Sequence, residues 1–158
     1  QNNLMQIGSN TTNVIVTLVN KYPCKGFNIF MDNFYSTVAT FHYLHNKGHN
    51  VIGTTRANRI ATELFMKKSE PRGTIKWRTT TRMSNEDVDG ALILACSWKD
   101  SGVVYFLSTC HQGINTIIVH RKSGNSIINV NAPEIAETYG IGMRGVDIAD
   151  QLRSSYTV

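Results

Sequence analysis

The chain has 158 residues, enough for one domain, and its 41% hydrophobic content supports a packed core and excludes wholesale disorder. Sixteen Lys plus Arg against eleven Asp plus Glu give a net charge of +5, and no apolar run approaches the ~20 residues of a membrane-spanning helix, which excludes such a helix. The charge is unevenly placed: residues 1–79 carry ten basic and three acidic groups, and nine basic residues fall within 47–82, a local field that suits a polyanion.

Residues 1–10 are polar and read as a frayed end. Asn10 can cap a helix over 13–20, with Ile15, Leu18 and Val19 on one face, although the β-branched content equally permits a strand. Residues 27–31 read as a short buried strand that ends at Asp32 and Asn33. A helix is predicted over 36–46, with Ser36 as N-cap, an apolar stripe of Val38, Phe41 and Leu44, and Gly48 as the stop. A strand over 50–55 follows, so 27–55 reads β-α-β and predicts a parallel pair.

The pattern then changes. Residues 74–81 alternate, 91–98 and 103–109 flank a Lys99-Asp100-Ser101-Gly102 turn, and 115–120 is a further strand, which together predict an antiparallel block. Asn131 is placed as the cap of a short helix over 133–139. Gly140, Gly142 and Gly145 are expected to break the chain before a last helix near Val146. The organisation expected is residues 1–60 as a helix-strand-helix-strand core, 61–130 as a β-rich insertion, and 131–158 as a return to the core.

Several groups can carry chemistry. Asp32 is the first acidic residue of the chain and sits where strand-end ligands collect in parallel sheets. It suits a metal ligand, and it equally suits an Asx-turn or a helix cap. Asp147 and Asp150 lie three apart, so a helix puts both carboxylates on one face, either toward a Mg²⁺ or simply toward the positive end of the helix dipole. His42, His45 and His49 suggest a zinc pair without a third ligand, or cationic caps of a helix C-terminus. Arg56, Arg59, Lys67, Lys68, Arg72, Lys76, Arg78 and Arg82, interleaved with Trp77 and threonines, read as a phosphate-binding stretch or as a solvated surface. Cys24, Cys96 and Cys110 form no CxxC pair and read as idle thiols. No Walker, GxSxG or HExxH motif is present.

Three segments together resemble the piggyBac-type transposases. Met31-Asp32-Asn33-Phe34-Tyr35-Ser36-Thr37 is similar to that family's second-aspartate motif. Gly53-Thr54-Thr55-Arg56-Ala57-Asn58-Arg59 is similar to the motif on the following strand, and Gly145-Val146-Asp147-Ile148-Ala149-Asp150-Gln151 to the last acidic motif. Arg72-Gly73, Ser97-Trp98-Lys99-Asp100 and Leu107-Ser108-Thr109 occur between them in the family's order, and the resemblance spans about 13–156. It implies an α/β chain: a partial ribonuclease-H-like fold with a β-rich insertion, lacking its first strands. It also tips residues 13–20 toward helix.

The implied chemistry is two-metal phosphoryl transfer on DNA, nuclear in location, using Mg²⁺ or Mn²⁺. By the resemblance Asp32, Asp147 and Asp150 are the catalytic carboxylates, with Asp32 and Asp147 as metal ligands. Arg56 and Arg59, together with Lys67, Lys68, Lys76 and Arg78, would hold DNA phosphates. The chain departs from the family in having nothing acidic before Asp32, where a first catalytic Asp belongs, and in Gly140-Ile141 and Arg144 before the last motif. It also carries no Cys/His-rich zinc module.

The expectations are therefore weak metal binding, no catalysis by this chain alone, and an exposed sheet edge at 27–31 or 51–55. A start at Gln1 adds the expectation of a fragment, a processed product or an incomplete gene model. Expected partners are DNA, a second copy or a full-length transposase, and no membrane. The rival reading is a non-enzymatic DNA-binding or protein-interaction module, and a decayed gene is the third.

Overall fold

The N-terminal segment resolves its helix-or-strand ambiguity through its apolar face. In the computed structural model, which describes residues 10–22, 24–79 and 92–155, helix α1 spans Asn10–Asn20. Within the last helix the side chains of residues 146, 147, 149 and 150 also lie outside the description. Thr12, Ile15, Val16 and Val19 recur at helical spacing and turn toward a second helix, so burial outweighs the β preference of the branched residues. Thr12 Oγ1 lies 3.1 Å from Thr40 Oγ1, a buried hydroxyl pair that joins the two helices.

Strand β1 spans Asn28–Met31, helix α2 Val38–Asn46 and strand β2 Asn50–Thr55. β1 and β2 are parallel, with Asn28 opposite Asn50 and Met31 opposite Gly53, as the β-α-β reading predicts. The cap of α2 differs from expectation: Thr37, not Ser36, accepts from the Thr40 amide at 3.1 Å. Ser36 is fully buried, and its hydroxyl donates to the Asp32 carbonyl at 2.8 Å instead. Gly48 closes the helix at φ 85°, a left-handed conformation in which glycine carries no Cβ penalty.

Strand β4 (Leu94–Lys99) pairs antiparallel with both β3 (Ile75–Thr79) and β5 (Val103–Ser108). β5 also pairs antiparallel with β2, giving one five-stranded sheet of order β1-β2-β5-β4-β3. The sheet therefore runs across residue 60 without interruption. Of the two candidate edges, β1 is the edge strand and β2 is interior. Alternation along the strands sends Val51, Ala95 and Leu107 to the α1–α2 face, and Ile52, Cys96, Trp98 and Phe106 to the other. Each fully buried side chain of this size contributes about 1.5–3 kcal/mol over its exposed form.

The second face is covered by a hairpin, β6 (Thr116–Ser123) with β7 (Ser126–Pro133), and by helix α3 (Glu134–Ser155). Here the sequence reading needs correction twice. Asn131 and Pro133 belong to β7, with Asn131 opposite Ile118, so Asn131 caps no helix; the helix expected over 133–139 does begin at Glu134, and it is the start of α3 rather than a short separate element. The three glycines do not break the chain, and α3 is one 22-residue helix. Gly142 is needed for packing, since a Cβ there would collide with the Phe30 ring, while Gly140 and Gly145 face open space. Close contact with the sheet outweighs a glycine cost of ~1 kcal/mol per residue.

Candidate functional site

The carboxyl ends of the parallel strands β1 and β2 gather the first group of sequence-predicted residues. Asp32 follows β1 directly and is exposed. Its Oδ1 accepts from the Phe34 amide at 2.8 Å, an Asx-turn that fixes the carboxylate against the backbone. No hydrogen bond to its second oxygen is present among the described residues.

The loop after Asp32 is held from three sides. Ser36 bonds the Asp32 carbonyl from within, and Thr55 Oγ1 donates to the Ser36 carbonyl at 3.2 Å. Arg59 Nη1 reaches the carbonyls of Asn33, Phe34 and Ser36 at 2.8, 3.2 and 3.0 Å. The loop packs directly on Gly53, where a Cβ would lie 2.5 Å from Ser36 Oγ and 2.7 Å from the Met31 carbonyl oxygen. Arg56 lies over the Phe34 ring at 5.8 Å, a cation–π contact that leaves its guanidinium beside the same strand end. Arg59 is therefore largely a clamp on the aspartate loop, and Arg56 is the more available cation.

Helix α3 approaches this end on the Phe30 face of the sheet. Tyr139 sits edge-on to Phe106 of β5, with ring centroids 5.9 Å apart, and its hydroxyl lies 3.3 Å from Thr54 Oγ1 of β2. One turn later Gly142 meets Phe30 of β1. The alternation of β1, continued by one residue, puts Asp32 on the face of Phe30 rather than of Met31. Positions 147 and 150 are on α3, about 8 and 12 Å along the axis from Gly142. Their side chains lie outside the described residues.

The second group of predicted residues lies elsewhere. Lys76 and Arg78 are on β3, the far edge of the sheet, three strand spacings or about 14 Å from β2. Most of its cations are engaged: Lys76 Nζ contacts Glu70 Oε1 at 2.7 Å and the Phe65 carbonyl at 2.9 Å, and Arg78 contacts Glu63 at 3.3 Å. The Lys76 ammonium, as hydrogen-bond donor and as charge, holds the Glu70 carboxyl below its ordinary value of 4.5. Lys67 and Lys68 are exposed; the Lys67 amide donates to Glu70 Oε1 at 3.3 Å, and its charge adds to that of Lys76 in holding the Glu70 carboxyl down. Trp77 is half exposed between Lys76 and Arg78, and Arg82 lies outside the described residues.

One cluster joins residues that the sequence reading keeps apart, Arg72 in the basic stretch and Asp100 in a turn, with Arg121 of β6. Asp100 accepts from Arg72 Nε and Nη2 at 2.8 and 2.6 Å through one oxygen, and from Arg121 Nε at 3.0 Å through the other. Arg121 also covers the Trp98 ring at 5.6 Å, and Trp98 Nε1 donates to the Asn131 carbonyl at 2.7 Å. Burial alone would raise the Asp100 carboxyl, but the two arginines outweigh it and hold it below 3.8. The cluster ties the β4–β5 turn to the β6–β7 hairpin. A basic residue followed some thirty positions later by a turn aspartate was the signal, and it does not reveal spatial pairing.

The histidines form no metal site: among the described residues no group of three or more His, Cys, Asp or Glu is placed to hold one ion. Burial and then the nearby His45 charge push the His42 imidazole below 6.5. His49 is buried and stacks on Phe27 at 5.4 Å. His111 Nδ1 lies 2.7 Å from the buried Ser108 hydroxyl, and burial lowers its pKa despite the Glu134 charge. Burial raises the Cys96 thiol to about 12. No described helix is long and apolar enough to cross a membrane.

The profile of a family described as Transposase IS4 matches residues 1–158. Human PiggyBac transposable element-derived protein 3 is 28% identical over 138 residues, covering 82% of this chain and 21% of that protein. The human chimeric ERCC6-PGBD3 protein is also 28% identical over 138 residues, covering 82% of this chain and 12% of its own length. The chain thus spans about a fifth or less of the curated relatives it matches. Its fold matches a chain from the cryo-EM structure of a piggyBac transposase synaptic complex with hairpin DNA. The TM-score is 0.68 at 22% identity, with 96% of this chain and 29% of that chain covered. The mixed α/β expectation and the resemblance read from the three aspartate-bearing and arginine-bearing segments are borne out.

Proposed function

The chain belongs to the transposase IS4 family and is of the piggyBac type, and from that premise we propose that it is part of a DNA transposase catalytic domain whose lineage chemistry is divalent-metal-dependent DNA cleavage and strand transfer. The domain is a partial ribonuclease-H-like core, residues 1–60 and 131–158, with a β-rich segment at 61–130 whose strands β3–β5 extend the same sheet. The reaction takes place in the nucleus, on DNA. The observation that carries this reading is the placement of Asp32: an exposed carboxylate, fixed by an Asx-turn at the end of a parallel strand, with the helix that bears Asp147 and Asp150 crossing the same face.

The donor chemistry at Asp32 fits Mg²⁺ or Mn²⁺, which take hard oxygen ligands from one or two carboxylates and complete their shell with water and phosphate oxygens. Asp32 and Asp147 would hold the ion and Asp150 would stand beside them. When bound, the metal supplies Lewis-acid stabilisation of charge at a reacting phosphate. The chain's own residues orient. Ser36, Thr55 and Arg59 hold the Asp32 loop against Gly53, and Arg56 offers a guanidinium to a phosphate oxygen beside it. With no acidic residue before Asp32, this chain lacks the first carboxylate of its lineage, so it binds the metal weakly and is inactive alone.

The test combines two readings on the purified chain. Mn²⁺ titration followed by NMR should broaden the amide signals of residues 31–36 at millimolar metal, and Asp32→Asn should abolish the effect. Incubation of the chain with element-end DNA and Mg²⁺ or Mn²⁺ should give no hairpin and no strand-transfer product. Broadening that survives Asp32→Asn overturns the site, and robust strand transfer overturns the inactivity. A second reading, a non-enzymatic DNA-binding module, is favoured by the exposed cations Lys67 and Lys68. Salt-dependent DNA binding that persists after Asp32→Ala supports it.

A further inference from the structure

The carboxyl end of β2 carries two adjacent threonines with different surroundings. Thr55 turns inward, is 5% exposed, and gives its hydroxyl to the Ser36 carbonyl. Thr54 points to the other face, the one crossed by α3, and is half-buried. Among the described residues its hydroxyl has one partner, the Tyr139 hydroxyl 3.3 Å away. Both sides of this contact are interior to the fold: β2 lies between β1 and β5, and the Tyr139 ring packs on Phe106 of β5.

The strand register sets Thr54 beside the aspartate. Met31 pairs with Gly53, so one residue further on Asp32 stands opposite Thr54, on the same face and one strand spacing of about 4.8 Å away. Arg56 is still extended, at φ −84° and ψ 148°, and continues the alternation onto that face about 7 Å beyond Thr54. A carboxylate, a neutral hydroxyl and a guanidinium thus share the open end of two parallel strands.

Two hydroxyls that share one hydrogen bond leave one hydrogen over. A phenol is the better donor and an alkyl hydroxyl the better acceptor, so the favoured arrangement has Tyr139 donating and Thr54 keeping its own hydrogen for a second acceptor. At 3.3 Å the pair is longer than a closed hydroxyl bond, which leaves the Thr54 hydroxyl room to turn. It makes no bond to Asp32 among the described residues, so that hydrogen is left for a group arriving from outside.

We propose that Thr54 is a phosphate-binding residue of this site, donating its hydroxyl to a non-bridging oxygen of the DNA phosphate next to the one met by Arg56, and that Tyr139 is the positioning residue that aims it. This contact rests on the reading of the strand end as a DNA site. The ~7 Å between Thr54 and Arg56 is comparable with the step between successive phosphates of a nucleic-acid strand. A hydroxyl beside a guanidinium adds direction to the hold on the backbone without adding charge.

Fluorescence anisotropy of the 158-residue chain with a labelled DNA duplex of arbitrary sequence tests the contact, because phosphates carry no base information. Urea unfolding of each variant accompanies it. Thr54→Val keeps the shape, removes the hydroxyl and should weaken binding about tenfold, and Thr54→Ser should bind within about twofold of the parent. The slope of log Kobs against log salt should be the same in Thr54→Val as in the parent, whereas Arg56→Ala lowers it by about 1. Tyr139→Phe keeps the ring on Phe106, and should weaken binding about threefold in the parent and not at all in Thr54→Val. A pair that only ties α3 to β2 would instead lose stability in both variants and leave binding unchanged, which overturns the proposal. So does Thr54→Ser binding as weakly as Thr54→Val, or a chain that binds no duplex at ~50 mM salt. Equal losses from Tyr139→Phe in both backgrounds overturn its positioning role. The metal reading is checked separately, by Mn²⁺ broadening at residues 31–36. If that broadening survives Asp32→Asn while Thr54→Val still loses DNA affinity, the metal site falls and the phosphate contact stands. If Asp32→Asn abolishes the broadening while Thr54→Val binds DNA as the parent does, the phosphate contact alone is overturned.

Discussion

Gly53→Ala is the sharpest test of how the Asp32 loop is held. In a strand this exchange ordinarily stabilises by about 0.5–1 kcal/mol, because glycine loses more backbone entropy on folding. Here the sign should reverse. The added Cβ would lie 2.5 Å from Ser36 Oγ, 2.7 Å from the Met31 carbonyl oxygen and 3.3 Å from Phe41 Cζ. Ser36 can rotate away, but only by giving up its 2.8 Å bond to the Asp32 carbonyl. The Met31 oxygen belongs to the backbone of β1, so relief there moves the strand itself. Overpacking at about 1–3 kcal/mol and one lost hydrogen bond at about 1 kcal/mol give a net loss of roughly 2–4 kcal/mol. For a chain of this size the melting temperature should fall by roughly 5–15 °C. Ser36→Ala alone should cost about 1 kcal/mol. The double variant should be milder than the sum by about 1 kcal/mol, because the closest clash is gone. Urea and thermal unfolding of the four proteins close the cycle. A Gly53→Ala chain as stable as the parent, or strict additivity, would refute the packing argument.

Three further outcomes follow from described contacts. Asp100→Asn should cost about 1–2 kcal/mol at pH 7, discounted for the part-exposed arginines. It should also flatten the acid limb of stability: the carboxyl is held below 3.8, so its contribution is present above that value and lost as pH falls through the lowered native one. Urea melts from pH 2 to 7 check this. Lys67→Ala with Lys68→Ala should make the slope of log Kobs against log salt shallower by about 2 in DNA binding, whereas Lys76→Ala, which removes the partner of Glu70, should mainly lower stability. A thiol reagent should label the exposed Cys24 and Cys110 quickly and Cys96 only as fast as the chain unfolds; three fast thiols would contradict the burial that raises Cys96 to about 12.

Local chemistry made much of the fold legible. The parallel pair of β1 and β2 followed from a short apolar strand, a capped helix and a second strand, and the Lys99-to-Gly102 turn located the β4–β5 hairpin. The misreadings occurred where tertiary contact overrules local preference. Ser36 looks like an N-cap, but the Asp32 carbonyl claims its hydroxyl and Thr37 takes the cap. Gly140, Gly142 and Gly145 look like a break, yet one of them is what lets the helix lie on Phe30. Residues 126–133 offered Asn131 and Pro133 as helix signals. Their place in β7 is set by the register against β6 and by Val130 and Ala132 entering the core, a long-range fact that no window of a few residues contains.

The candidate site divides the same way. Asp32 was legible because a strand end announces itself, and the two readings weighed for it turn out compatible: one carboxylate oxygen makes the Asx-turn, and no hydrogen bond occupies the other among the described residues. The basic stretch was legible as charge but not as availability. In sequence its cations look alike, whereas in space Arg59 clamps a loop, Arg72 joins Asp100, and Lys76 and Arg78 face glutamates. Those engagements use up much of the field that the composition suggests. Under the proposed function, a phosphate-binding role would fall most heavily on Arg56 and Lys68, which face no carboxylate among the described residues. Charge segregation in a sequence thus bounds where a polyanion can sit, and it is the ion pairs of the folded chain that decide which residues remain to hold it.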